Sequence, residues 1–122
     1  MLKRRVVFAL LALAASVCLV LPVAADSKVR IVRLSYVEGD VEIDRLAGQG
    51  FERAMMNMPI VEGMRLRTGD DGRAEVEFEN NTTLRLTPGS SVHFRELALR
   101  SSGDKVNTIA LDRGTAYFNI RH

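Results

Sequence analysis

The stretch MRLRTGDDGRAEVEFENNTTLRL, residues 64–86, alternates apolar and polar side chains with a period of two. Its apolar residues stand at even positions and are separated mainly by Arg, Glu and Thr. Such alternation is typical of antiparallel strands that bury one face and expose the other. The stretch therefore predicts three antiparallel strands of one sheet. Their predicted buried residues are Met64 and Leu66, then Ala74, Val76 and Phe78, then Leu84 and Leu86.

The length of the loop between the second and third of these strands can be predicted from the same alternation. Opposite residues of a hairpin share a face, whereas a two-residue loop would set Leu84 opposite Glu77. A three-residue loop, residues 79–81, keeps the faces apart. It needs a left-handed residue at its third position, which Asn81 tolerates. The predicted pairs are Phe78–Thr82, Val76–Leu84 and Ala74–Leu86.

Parity also places the first strand beside the second. Pairing Leu66 with Val76 sets Arg67 beside Glu75, whose other neighbour is Arg85. The resulting outward strip of Arg67, Glu75 and Arg85 has two interpretations. It is a binding site for an anionic or sugar ligand, or it is a solvated face whose ion pairs contribute about 0–1 kcal/mol each. The small energy of exposed pairs favours the solvated face.

The run Val29–Ile43 changes phase twice. Slips of one residue indicate bulges, or corners where a strand passes from one sheet into another. We therefore predict an all-β fold, an antiparallel β-sandwich or β-roll of short strands, after an N-terminal signal helix. The three phase groups are Val29 and Ile31; Val32, Leu34 and Tyr36; and Val37, Val41 and Ile43.

The N-terminus has the three-part order of a secretory signal. Three basic residues precede the apolar run Val6–Leu21, and small residues follow it up to Ala25. We predict a signal peptide over residues 1–25, cleavage between Ala25 and Asp26, and a domain over residues 26–122. Two alternatives remain open. The 16-residue run, just short of the roughly 17–25 residues that span a bilayer, would form a retained anchor, or Cys18 would carry a lipid.

Removing the signal changes the charge of the chain. The whole sequence has 17 basic and 15 acidic residues, but three of the basic ones lie in the signal, which leaves 14 against 15. A near-neutral domain gives no support for nucleic acid or an anionic membrane as partner. The single cysteine, Cys18, also leaves with the signal, so no disulfide is expected.

Residues 61–94, VEGMRLRTGDDGRAEVEFENNTTLRLTPGSSVHF, resemble the FecR domain family of bacterial extracytoplasmic proteins. The family pattern has a glycine before an apolar strand, Thr-Gly, an acidic turn, an Ala-initiated strand, a turn, Leu-x-Leu and a polar turn. VEGDVEI around Gly39 and LDRGTAYFNI near the end resemble its flanking strands. The matching residues are Gly63, Thr68, Gly69, Ala74, Leu84, Leu86 and Ser90.

The resemblance implies an all-β domain outside the cytoplasm, in a family named for iron-dicitrate signalling regulators that relay a signal from an outer-membrane receptor to a sigma factor. Those regulators carry an N-terminal cytoplasmic domain, whereas five residues precede the apolar run here. The chain thus looks more like exported FecR proteins with other roles. Strand alternation also continues to Ile120, so we expect the sequence to be truncated or a short member of a longer family.

The sequence contains little that indicates a catalytic site. After the signal there is no cysteine, and the histidines are His93, which is expected to face solvent, and His122. The alternating carboxylates Glu75, Glu77 and Glu79 stand on a predicted exposed face, and no spacing selects an acid pair. We predict that the protein is not an enzyme and has no cofactor and no metal.

Met55, Met56 and Met58 form an unusual cluster. Methionine fills gaps in a core, forms adaptable contact surfaces, or binds Cu(I). Core packing is the favoured interpretation of the three. The possible partner contacts are Met55, Met56, Met58, Arg67, Glu75 and Arg85.

The predicted function is an exported, non-catalytic FecR-like binding or scaffold module of the bacterial cell envelope. We expect it to be periplasmic or secreted, with an envelope protein or glycan as partner. It would contact the membrane only through an uncleaved signal segment. The alternative is a membrane-linked component of iron-type transmembrane signalling, acting in sigma-factor regulation.

Overall fold

A computed structural model of the protein describes residues 29–121. The predicted signal helix, the cleavage site at Ala25 and the terminal His122 lie outside the described residues. Within residues 29–121 the protein has no helix of the length and apolarity that a membrane crossing requires. The strands are β1 (Arg33–Glu38), β2 (Val41–Asp44), β3 (Phe51–Arg53), β4 (Arg65–Thr68), β5 (Arg73–Glu77), β6 (Thr83–Leu86), β7 (Ser91–Leu99), β8 (Lys105–Arg113) and β9 (Ala116–Asn119).

The strands form two antiparallel sheets that share one core. Sheet A has the order β1-β5-β6-β9, and sheet B has the order β3-β2-β4-β7-β8. Alternate residues of strands in both sheets are buried in a single apolar cluster, so the sheets pack face to face. The predicted all-β antiparallel sandwich is therefore confirmed. The fully buried apolar side chains are Leu34, Val41, Ile43, Leu66, Val76, Val92 and Phe94.

The predicted hairpin is confirmed in its register. Val76 pairs with Leu84 and Ala74 pairs with Leu86. The Phe78 N–H donates to the Thr82 carbonyl at 2.8 Å, which closes the three-residue loop. Asn81 has a φ of 60°, as predicted, and the residue before it is left-handed as well.

The phase slip in the first strand is also confirmed, as a bulge between Leu34 and Tyr36. Ser35 is the extra residue, and its hydroxyl donates to the Glu75 carbonyl. The bulge turns Tyr36 outward while Leu34 is buried, so placing the two residues in one phase group was wrong. Two residues after β1 the chain enters β2 in the other sheet, which confirms the predicted corner.

The predicted pairing of Leu66 with Val76 is wrong. Leu66 pairs with Ile43 of β2 and with Val92 of β7, all in sheet B. Residues 69–72 are a corner between the sheets rather than a hairpin. A β-carbon at Gly72 would overlap the Asp40 carbonyl, so this close crossing requires glycine. Parity did not reveal the error, because Leu66 is buried and Arg67 is exposed whichever sheet holds β4.

Four links carry the chain from one sheet to the other, after β1, β4, β6 and β8, and they meet at one end of the sandwich. The Thr68 hydroxyl donates to the Thr87 carbonyl at 2.7 Å and accepts the Ser90 N–H at 2.9 Å. The fully buried Ser90 exchanges two 3.0 Å hydrogen bonds with the backbone of Thr115. The Gly69 N–H donates to the Asp40 carbonyl at 2.8 Å. We call this set the corner cluster: Asp40, Thr68, Gly69, Thr87, Ser90 and Thr115.

At the other end of the sandwich, Arg30 joins the two sheets. Its guanidinium forms two 2.9 Å bonds with the carboxylate of Glu79, in the loop between β5 and β6. It also donates to the carbonyls of Ala98 and Val106 and to the side chain of Asn107, in β7 and β8. Because Arg30 and Glu79 are both largely buried, this pair contributes more than an exposed one.

We expect Thr68→Val to destabilise the protein by about 2–4 kcal/mol, because it leaves the Ser90 N–H and the Thr87 carbonyl without partners. Chemical denaturation measures the change. Thr83→Val, on the outer side of β6, is the matched control and should stay within about 0.5 kcal/mol of the wild type. Equal losses in the two variants would contradict the role of the corner cluster.

The pKa of the Glu79 carboxyl makes the contribution of the Arg30–Glu79 pair to stability depend on pH. Burial raises its pKa, but hydrogen bonds from Arg30 and from backbone N–H groups, together with the Arg30 charge, outweigh burial and lower the pKa from 4.5 to about 2. A lowered pKa means that the stabilisation is complete above about pH 4.5 and is lost as pH falls towards 2.

We therefore expect Glu79→Gln to be less stable than the wild type by roughly 1–3 kcal/mol at pH 7. This difference should shrink steadily as pH falls from 4.5 to 2, because the carboxyl of the unfolded chain is protonated near its ordinary pKa of 4.5 and that of the folded protein only near a pKa of about 2. Denaturant unfolding at a series of pH values measures it. A difference that is the same at pH 7 and pH 2 would show that the carboxylate charge is not responsible.

Candidate binding face

Four side chains line up across the outer face of sheet A. Tyr36 is opposite Glu75, Glu75 is opposite Arg85, and Arg85 is opposite Tyr117. We call these four residues the tyrosine row. Strands lie about 4.8 Å apart, so the row runs across the sheet for about 14 Å. Tyr36 is 44% exposed and Tyr117 is 62% exposed, so two accessible aromatic rings flank a central ion pair.

The polar groups of the row are held by local bonds. Arg85 Nε donates to a Glu75 carboxylate oxygen at 3.2 Å. The Tyr36 hydroxyl donates to Glu38 at 3.1 Å. That hydrogen bond and the negative charge of Glu38 raise the pKa of Tyr36 above its ordinary value of 10.0. Tyr36 therefore stays a neutral phenol at physiological pH, and its hydroxyl oxygen can still accept a hydrogen bond.

Two shallow cavities adjoin the tyrosine row. The first has a volume of about 360 Å³, and all four residues of the row line it. The second, of about 300 Å³, shares Glu75 and Arg85 with the first and extends towards the loop between β5 and β6. The two form one groove, at the small end of the size range for ligand sites. Its other lining residues are Arg73, Ala74, Leu86 and Thr87 in the first cavity and Glu77, Asn81, Thr83, Asn119 and Arg121 in the second.

The predicted strip of Arg67, Glu75 and Arg85 is half right. Glu75 and Arg85 are neighbours on sheet A, as predicted. Arg67 lies in sheet B, where it pairs with Glu42 at 3.1 Å and its guanidinium stacks 3.7 Å above the ring of Phe51. The strip is therefore interrupted, because the corner after β4 leaves Arg67 in sheet B and carries the chain on to Glu75 in sheet A.

The three clustered methionines lie in different environments. Met55 and Met56 are exposed, whereas Met58 packs against the core, which agrees with core packing for this one residue. The Met58 sulfur accepts the N–H of Met55 at 3.1 Å. A partner contact through Met55 and Met56 stays a prediction.

Sequence reasoning missed both tyrosines of the row. Tyr36 was placed in the phase group of Leu34, because the sequence pattern does not show that the bulge lies at Ser35. For Tyr117, alternation with Ala116 and Phe118 gives the outward direction. No local pattern, however, places β9 beside β6 rather than beside β8. A single-residue bulge and a non-local pairing therefore hide the row from the sequence.

The described part of the chain holds no group of three or more His, Cys, Asp or Glu residues arranged to bind a metal ion. His93 lies in β7, half-buried, opposite Arg65 on one side and Ala110 on the other. It therefore stands on the outer face of sheet B, which agrees with the expectation that it does not point into the core.

The two sheets and their four crossings define an antiparallel β-sandwich domain that presents a polar, aromatic face on one sheet. The model of the FecR protein family matches residues 64–122. The predicted resemblance to the FecR family is thereby confirmed over this part of the chain, which holds β4 to β9. No curated protein and no solved structure matches the chain.

The matched region can be compared with the residues that suggested the family. Thr68, Gly69 and Ser90 fall inside the match, and all three belong to the corner cluster. Gly39 and Gly63 precede it. Within the match, therefore, the polar residues of the resemblance are those that hold the sheet crossings together.

Proposed function

We propose that the protein is an exported, non-catalytic binding module of the cell envelope, and that the tyrosine row contacts its ligand. FecR-family proteins are associated with the envelope, and the family is regulatory rather than catalytic. The observation that carries the proposal is the pair of exposed tyrosines, Tyr36 and Tyr117, on either side of the Glu75–Arg85 pair.

The row has the chemistry of a recognition surface. Tyrosine combines a large apolar ring with a polar hydroxyl, and it is enriched where proteins bind other molecules. The bond to Glu75 uses the Nε–H of Arg85, and a guanidinium carries four further N–H donors on its terminal nitrogens. The pair is exposed, so it contributes at most about 1 kcal/mol to folding. These side chains are therefore available for binding at little cost to the fold.

An envelope glycan is the ligand class that fits the row best. Sugar rings place their apolar faces against aromatic side chains and direct their hydroxyls to charged and amide groups. The row offers both kinds of contact, spaced along about 14 Å of the sheet. Acidic and basic residues alternate across the groove, which suits a neutral, hydroxyl-rich chain better than a strongly charged one. The proposed ligand is therefore a short stretch of envelope polysaccharide.

The test measures binding of purified envelope polysaccharide and of soluble peptidoglycan fragments by calorimetry. Arg85→Ala and Tyr117→Ala should each weaken binding by about tenfold or more, because each removes a contact to the ligand. Arg67→Ala is the matched control, since Arg67 is also an exposed arginine paired with a glutamate, but on the other sheet. It should bind as the wild type does.

Two results would overturn this proposal. One is equal weakening by Arg67→Ala and Arg85→Ala. The other is the absence of glycan binding together with Arg85-dependent binding to the periplasmic part of an outer-membrane receptor. The second result would favour the signalling alternative.

The proposed export has its own test. The protein recovered from the cell envelope should begin at Asp26, because the small residue Ala25 suits signal peptidase. Intact mass spectrometry reads the N-terminus directly. Ala25→Gln places a larger residue at the cleavage site and should leave the chain uncut. A wild-type protein that still begins at Met1 would contradict cleavage and favour the membrane-linked alternative.

A further inference from the structure

One side of the sandwich is open. Leu111 of β8 and Phe118 of β9 face inward, because their partners Val92 and Leu84 are buried in the core. Yet Leu111 is 48% exposed and Phe118 is 42% exposed, whereas Val92 and Leu84 are 0% and 3% exposed. The gap between the sheets at this edge is a cavity of about 300 Å³. We call it the open side; it is lined by Leu84, Val92, Asn107, Ile109, Leu111, Ala116 and Phe118.

The opposite side of the sandwich is closed by the chain itself. The segment between β3 and β4 runs along β1: the Leu34 N–H donates to the Met58 carbonyl, and the Ile60 N–H donates to the Val32 carbonyl. It places Ala54 and Ile60 in the core, where each is 3% exposed. An extended segment with inward apolar residues thus covers one side, and within residues 29–121 the other side has no such cover.

The open side also presents the backbone of β8. This nine-residue strand is the last strand of sheet B, with β7 as its neighbour in the sheet. Its central run, residues 106–111, contains neither proline nor a charged residue. An edge strand exposes unpaired backbone N–H and C=O groups that can pair with another chain. Native proteins usually prevent such pairing with charges, prolines or bulges, and the centre of β8 has neither a charge nor a proline.

We propose that the open side is the contact surface for a second copy of this chain, with β8 of one copy paired antiparallel to β8 of the other. A two-fold axis gives this pairing, and it places the apolar side chains of the two open sides against each other. The uncharged centre of β8 meets itself without like charges. A single peptide strand, by contrast, would pair with one edge and leave the other sheet uncovered.

The size of the surface agrees with a weak, specific dimer. Nine strand residues extend about 30 Å, and two stacked sheets with their side chains are about 20 Å high, so each copy would bury about 600 Å². The total of about 1,200 Å² lies at the lower limit of specific interfaces. The dimer is therefore expected to depend on concentration. The inference does not rest on the proposed glycan site, which lies on the outer face of sheet A.

Sedimentation equilibrium of the protein as recovered from cells tests the proposal over a range of concentrations. The wild type should approach twice the mass of one chain as its concentration rises. Leu111→Lys should weaken self-association by about tenfold or more, because it places a charge in the apolar contact. Val61→Lys, at an equally exposed apolar residue near the closed side, is the control and should associate as the wild type does.

A second measurement does not depend on a destabilising variant. Single cysteines at Thr108, Ile109, Ala110 and Leu111, in a Cys18→Ser background, should form a disulfide-linked dimer at the residue nearest the axis. Cysteine at Val61 should not. A wild type that stays monomeric, equal weakening by both lysine variants, or no crosslink along residues 108–111 would each overturn the proposal.

Discussion

Two buried hydroxyl groups, those of Thr68 and Ser90, stand where the sheet crossings meet, and the rest of the sandwich depends on them. A corner between sheets breaks the regular ladder and leaves backbone groups without strand partners. In the interior each such group costs roughly 1–3 kcal/mol if it is left unpaired. Thr68 and Ser90 supply the missing donors and acceptors for three of the four crossings. The Gly69 N–H, bonded to the Asp40 carbonyl, connects the fourth.

The crossings decide which strands become neighbours. Because the chain changes sheet after β1, β4, β6 and β8, sheet A gathers strands that are far apart in sequence. Tyr36, Glu75, Arg85 and Tyr117 form one row only because β1, β5, β6 and β9 lie side by side. The candidate binding face is thus a product of the corner cluster at the end of the sandwich. A change that loosens the corners would disturb the row without touching any of its residues.

The sequence predicts the local part of this arrangement and not the non-local part. Alternation gives the buried residues of β4, β5 and β6, and counting gives the loop at residues 79–81, because both depend on neighbours within a few residues. The place of β4 depends instead on whether residues 69–72 form a hairpin or a corner. Both choices keep Leu66 buried and Arg67 exposed, so alternation cannot separate them. The deciding contact, from Gly69 to Asp40, joins residues 29 positions apart.

Strand β9 shows how the candidate face and the open side are related yet separable. Its residues alternate between them: Ala116 and Phe118 point into the open side, and Tyr117 between them points to the tyrosine row. Phe118 also makes an edge-to-face contact with Phe78, with ring centroids 5.5 Å apart, so it is partly held by the core. Tyr117 lies on the opposite face of the strand. Because a strand directs adjacent side chains to opposite faces, a substitution at Tyr117 reports on the row, whereas one at Phe118 reports on the core and the open side.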